Sequence, residues 1–162
     1  MTTVDFLTIT ASICPDRPAI IFDDRKETFS ELNLRSTKLA NAMRDKLGIK
    51  KGDRVAIIQV NCPEYIELYF ACAKLGAIFV PLNFRAKEAE LEHMINHSEA
   101  RALFFGERYT ELVNSMRERL KVEHYVCIWG KPEWAIEYEE LLAQGSEEEN
   151  FEPSSENDVT VL

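Results

Sequence analysis

Residues 52–85 read GDRVAIIQVNCPEYIELYFACAKLGAIFVPLNFR. Arg54 to Val60 is a near-continuous apolar run rich in β-branched residues, the pattern of a strand covered on both faces. Asn61-Cys62-Pro63-Glu64 reads as a helix start: Asn61 is a capping residue, Pro63 suits the first turn, and Glu64 and Glu67 favour the positive helix end. Tyr65 to Leu75 is apolar on nearly every side, so this helix is expected to be buried. Gly76 stands in the usual stop position. Ala77 to Val80 is a second short strand, closed by Pro81. Strand, crossover helix and strand of these lengths make a right-handed βαβ unit.

Working upstream, Gly48 stops a helix that starts at Thr28 or Ser30, where Thr28 and Glu31 have capping-box spacing. Leu32, Ser36, Leu39, Ala40, Met43 and Leu47 fall on its inner face. Ala19–Phe22 and Glu27–Phe29 flank the turn Asp23-Asp24-Arg25-Lys26, a β-hairpin. The adjacent aspartates are turn formers here rather than an acid/base pair. Val4 to Ile13 is a short amphipathic helix with Phe6, Leu7, Ile9 and Ile13 as its apolar set.

Downstream, residues 87–97 read as a helix with Ala89, Leu91, Met94 and Ile95 inward. Residues 102–105 form a strand, 107–120 a helix and 124–128 a further strand. Residues 129–137 are a loop and 138–143 a short helix. This alternation predicts an α/β fold, a mainly parallel, doubly wound sheet with flanking helices, preceded by the hairpin. Residues 1–144 are the α/β unit. The acidic, unperiodic stretch 145–158, GSEEENFEPSSEND, is expected to be a linker, and 159–162 begin a strand.

The chain has 162 residues and a formal net charge of −9. Nucleic acid and anionic membrane surfaces select basic faces, so neither is the expected partner. Cys14, Cys62, Cys72 and Cys127 form no CxxC pair and read as reduced core residues of a cytoplasmic protein. The N-terminus lacks a signal-peptide pattern, and no apolar run is long enough to span a bilayer.

No GxGxxG or GxxxxGK[ST] occurs, and the turn after Val60 has no glycine to admit a phosphate. His93 and His97 share a helix face, but no third ligand accompanies them, so the expectation is a solvated face and no metal site. No serine or cysteine sits on a strained nucleophile turn. The loop Asn83-Phe84-Arg85 lies at the carboxyl end of a parallel strand, where open α/β sheets bind ligands. Arg85 can receive a phosphate and Phe84 can flank a planar ring. A loop that merely packs fits the residues equally well.

Three segments together carry a resemblance: PDRPAIIFDDRKETFSELNLRSTKLANAM, LGIKKGDRVAIIQVNCPEYIELYFACAKLGAIFVPLNFR and ELEHMINHSEARALFF. The chain resembles the N-terminal subdomain of the AMP-forming acyl-CoA synthetases, the adenylate-forming enzymes that include fatty-acid–CoA ligases. The resemblance implies a parent that uses ATP and Mg2+ to turn a carboxylic acid, expected to be fatty, into an acyl-adenylate, then passes the acyl group to coenzyme A. It places Asn83, Phe84 and Arg85 near a coenzyme A edge.

The family's Ser/Thr/Gly-rich phosphate loop and catalytic lysine have no counterpart in these residues. The chain is therefore expected to contain no catalytic residue, to bind none of the cofactors tightly and to be an inactive, incomplete first subdomain of a larger synthetase. Exposed apolar surface, and self-association through it, follow from that expectation. A stand-alone, non-catalytic binding or assembly module is the alternative. A dinucleotide-binding enzyme ranks below both, because the glycine fingerprint is missing.

Overall fold

In a computed structural model describing Met1–Leu162, the stretch 52–85 folds as strand β3 (Arg54–Ile58), helix α3 (Pro63–Leu75) and strand β4 (Ile78–Pro81). The rest of the sheet comes from β5 (Ala100–Gly106), β6 (His124–Ile128) and β7 (Ile136–Glu137). The order across the sheet is β4-β3-β5-β6-β7, and every pairing is parallel. The chain thus runs outward from β3 to β4, then crosses back over β3 to β5.

Alternation along the strands builds two cores, as a sheet covered on both sides requires. Val55, Ile57, Ala102, Phe104, Val126 and Ile128 face α2 (Phe29–Leu47), α3 and α6 (Tyr138–Ala143). Ala56, Ile58, Leu103, Phe105 and Cys127 face α4 (Glu88–Ser98) and α5 (Thr110–Met116). The fold is the α/β architecture the alternation predicts. It includes the antiparallel hairpin of β1 (Pro18–Phe22) and β2 (Arg25–Thr28), which stands outside the sheet.

The cap of α2 forms as the spacing requires: Thr28 Oγ1 accepts from Glu31 N, and the Glu31 carboxylate accepts from Thr28 N at 2.7 Å. Thr28→Ala is expected to lower stability by about 1 kcal/mol, the usual worth of an N-cap, in chemical denaturation.

Several details depart from the sequence reading. The N-cap of α3 is Cys62, with no side-chain cap bond, and Asn61 is exposed outside it. Ala89 lies on the outer side of α4, while Leu91, Ile95 and Ser98 are its buried residues. The helix expected over 107–120 is α5 between two 3-10 turns. Within the expected loop 129–137, Ile136 and Glu137 pair with Val126 and Cys127 as β7. Two residues are too few to show a period. On α1 (Thr3–Ile13) only Leu7 is buried, and Phe6, Ile9 and Ile13 are exposed.

The stretch 145–158, expected to be a linker, lies against α2 and α3. Asn41 Nδ2 donates to the carbonyls of Ser146 and Glu148 at 2.8 and 2.9 Å. Glu149 accepts from Asn33, Thr37 and the buried Lys74, and Phe151 packs on the larger core. Beyond it, Phe79 N donates to Thr160 O and Leu162 N to Phe79 O, which sets residues 160–162 along the free edge of β4.

Candidate functional site

The carboxyl ends of the parallel strands form one rim. In spatial order it carries Asn83-Phe84-Arg85 beyond β4, Gln59 beyond β3, Gly106 at the end of β5 and Trp129 beyond β6. The strand order reverses between β3 and β5, the position where open α/β sheets usually hold ligands. Here that crevice is filled by the chain itself. The Gln59 amide lies so close over Gly106 that a β-carbon there would meet it at 2.4–2.5 Å. Gln59 Oε1 accepts from Val60 N. At Gly106 it is thus a side-chain amide, the far end of Gln59, that lies against the backbone.

At the β4 end, Leu82 is buried and fixes the base of the loop, while Asn83, Phe84 and Arg85 are exposed. Asn83 Oδ1 accepts from Arg85 N at 3.0 Å, an Asx turn that sets the direction in which residue 85 leaves the strand. The Arg85 guanidinium lies 5.3 Å from the Phe84 ring centre. The guanidinium thus lies over one face of the ring, a surface cation–π pair.

At the β6 end, Trp129 is half-exposed and holds φ 69°, a left-handed conformation that is costly for a bulky residue. Its ring is 6.2 Å from that of Phe22 in the hairpin. Below this rim lies a buried charge network. Arg25 bonds Glu64 at 2.7 Å, Glu67 at 3.0 Å and Glu27 at 3.3 Å. Glu67, wholly buried, also has Arg35 Nε at 3.0 Å and accepts from Tyr138 OH at 2.7 Å. Burial acts to raise the Glu64 carboxyl. Hydrogen bonds from its own backbone N–H, Arg25 and Trp129 outweigh that and hold it below the usual range. Burial, then the charge of Glu67, pushes the Tyr138 phenol well above its ordinary value.

The histidines and the cysteines add no further functional group to the rim. His93 and His97 stack at 5.5 Å on the exposed face of α4. No group of three or more His, Cys, Asp or Glu side chains stands together as a metal site would need. The four cysteines are free, and burial pushes the Cys62 thiol up to about 12, so it is not a poised nucleophile. Asp23 and Asp24 form the hairpin turn. Sequence reasoning missed the Arg25–Glu64–Glu67–Arg35–Tyr138 network. Its one legible signal was a pair of glutamates inside an otherwise apolar helix.

Residues 7–162 match the family model of the AMP-binding enzymes. The chain is 32% identical over 157 residues to 3-oxocholest-4-en-26-oate–CoA ligase of Rhodococcus rhodochrous, covering 93% of this chain and 28% of that one. It is 35% identical over 121 residues to the long-chain-fatty-acid–CoA ligase of Thermus thermophilus, covering 74% and 22%. The crystal structure of the anthranilate CoA ligase AuaEII in complex with anthranoyl-AMP superposes with a TM-score of 0.94 at 25% identity. That match covers 99% of this chain and 31% of the other. The chain therefore spans about a third or less of the length of the relatives it matches.

Proposed function

Because the chain belongs to the family of AMP-binding enzymes, we propose that it forms the opening α/β portion of an AMP-forming acid–CoA ligase. The observation that carries this reading is the match over residues 7–162. In the reaction so assigned, a carboxylate oxygen bonds to the α-phosphorus of ATP as pyrophosphate leaves. The coenzyme A sulfur then takes the acyl carbon and AMP departs.

The residues present here serve binding rather than chemistry. Arg85 carries a guanidinium free to meet a phosphate of coenzyme A, and Phe84 offers its exposed face to a ring. Asn83 fixes the turn that presents them. Magnesium is assigned to the ATP phosphates of the parent enzyme. The phosphate loop and catalytic lysine of the family are not among the 162 residues, so residues 1–162 alone are assigned no adenylation and only weak affinity for ATP or coenzyme A.

The acid is assigned as fatty, in keeping with the long-chain-fatty-acid–CoA ligase among the relatives. The steroid-acid and anthranilate ligases mark the neighbouring classes to include in any substrate panel. The free cysteines, three of them buried, support a reducing, cytoplasmic setting. No helix is long and apolar enough to cross a membrane. The exposed Phe6, Ile9 and Ile13 of α1 support self-association of the isolated chain.

The test of the rim is Arg85→Ala. Losing one charge-assisted hydrogen bond should raise the KM for coenzyme A at least about tenfold in a ligase carrying this chain. An unchanged KM removes Arg85 from the coenzyme A edge.

A further inference from the structure

The hairpin β1–β2 stands outside the five-stranded sheet, and two strands alone are marginal in water. Its single buried side chain is a carboxylate: Glu27 is 3% exposed, while every other residue of β1 and β2 is half-buried or exposed. The one fully buried anchor of the hairpin is thus a carboxyl group, beside the half-buried Ala19, Ile20 and Phe22.

The charges around that seat do not balance. Facing Glu27 are Arg25 of its own strand, Arg35 of α2, and Glu64 and Glu67 of α3. Around these four stand Glu31 beside Arg25, the thiol of Cys62 at the N-cap of α3 beside Glu64 and Glu67, Tyr138 on Glu67 and Glu139 on Arg35. At the centre, the carboxylates of Glu27, Glu64 and Glu67 share the guanidiniums of Arg25 and Arg35. Arg35 is shared again, with Glu139 at 2.5 Å. Those three central carboxylates outnumber the two guanidiniums by one, and Glu139 draws further on Arg35.

Glu67 is anchored by Arg25, Arg35 and Tyr138, and Glu64 by a 2.7 Å contact with Arg25. Glu27 has only a 3.3 Å contact to a guanidinium already serving both others; its Oε1, like Glu64 Oε2, is buried without a partner. It is the carboxylate least able to stay ionised.

We propose that the hairpin β1–β2 is a proton-dependent latch, seated on α2 and α3 while Glu27 is protonated and loosened when Glu27 ionises. Burial and the neighbouring Glu67 push the Glu27 carboxyl up to about 7, against the attraction of Arg25 and Arg35. The folded value is raised, so the seating is full below the ordinary glutamate value of 4.5 and is lost as pH rises through about 7. Opening would carry Phe22 away from Trp129 on the rim.

Hydrogen exchange of the hairpin amides, corrected for intrinsic rates and referred to β3 and β5, tests this. Between about pH 5.5 and 8.5, protection of the hairpin should fall at least about tenfold in the native chain, one decade for each 1.36 kcal/mol. It should stay level in Glu27→Gln, which keeps the shape and removes the titration. A Glu27→Gln hairpin that loses protection in parallel with the native one overturns the proposal. Should Glu27→Gln not fold, carboxyl-carbon NMR titration of Glu27 in the native chain decides. A midpoint near 7 supports the latch, and one in the ordinary glutamate range refutes it.

Discussion

Glu67→Ala is expected to destabilise the chain by about 3–5 kcal/mol, the cost of removing one partner from a buried ion network. Glu67 has no exposed surface, and three groups converge on its carboxylate: Arg25 at 3.0 Å, Arg35 at 3.0 Å and Tyr138 OH at 2.7 Å. Alanine would leave a wholly buried phenol without its acceptor and Arg35 with Glu139 as its remaining carboxylate partner, together with a cavity. Domains of this kind are stable by only about 5–15 kcal/mol, so the loss is a large share of the whole. Urea denaturation measures it. A change under about 1 kcal/mol would mean that water reaches the network and that it acts like a surface ion pair.

Gly145→Ala is expected to be the next most damaging single change, costing about 1–3 kcal/mol as over-packing does. A β-carbon at residue 145 would lie 1.8 Å from the Lys38 carbonyl oxygen on α2, and that obstacle is backbone. The segment after Gly145 would have to lift, breaking the bonds from Asn41 to the Ser146 and Glu148 carbonyls. Glu149 would then leave Lys74, an ammonium with 2% of its side-chain surface exposed. A glutamate-specific protease should therefore cut at Glu147 to Glu149 much faster in Gly145→Ala than in the native chain. Equal cutting rates would show that this segment is not held by these contacts.

The elements were legible where a residue's neighbours in sequence decide its fate. The β-branched run 54–60, the proline at 63 and the glycine at 76 act locally and mark β3, α3 and β4, with β3 ending at Ile58, two residues short of the run. The Thr28–Glu31 box is local too. What escaped depends on distance along the chain. Glu64 and Glu67 read as first-turn acids near a positive helix end. Their burial requires Arg25, brought back by a hairpin 39 and 42 residues earlier.

The stretch 145–158 has no period because it makes its contacts one residue at a time, to Asn41, Thr37, Lys74 and Phe151's core neighbours. Its composition therefore imitates a linker. The rim loop was legible as a place, since Pro81 ends β4 and the loop must follow. Its occupant was not, because Asn83, Phe84 and Arg85 are exposed and nothing within the chain constrains what they meet.

The most direct measurement of the functional reading is carboxylate-dependent exchange of labelled pyrophosphate into ATP. The gene product carrying residues 1–162 should exchange only when a carboxylic acid and magnesium are present, and residues 1–162 alone should not exchange. Exchange by residues 1–162 alone, or none by the gene product across fatty, aryl and steroid acids, would contradict the assignment.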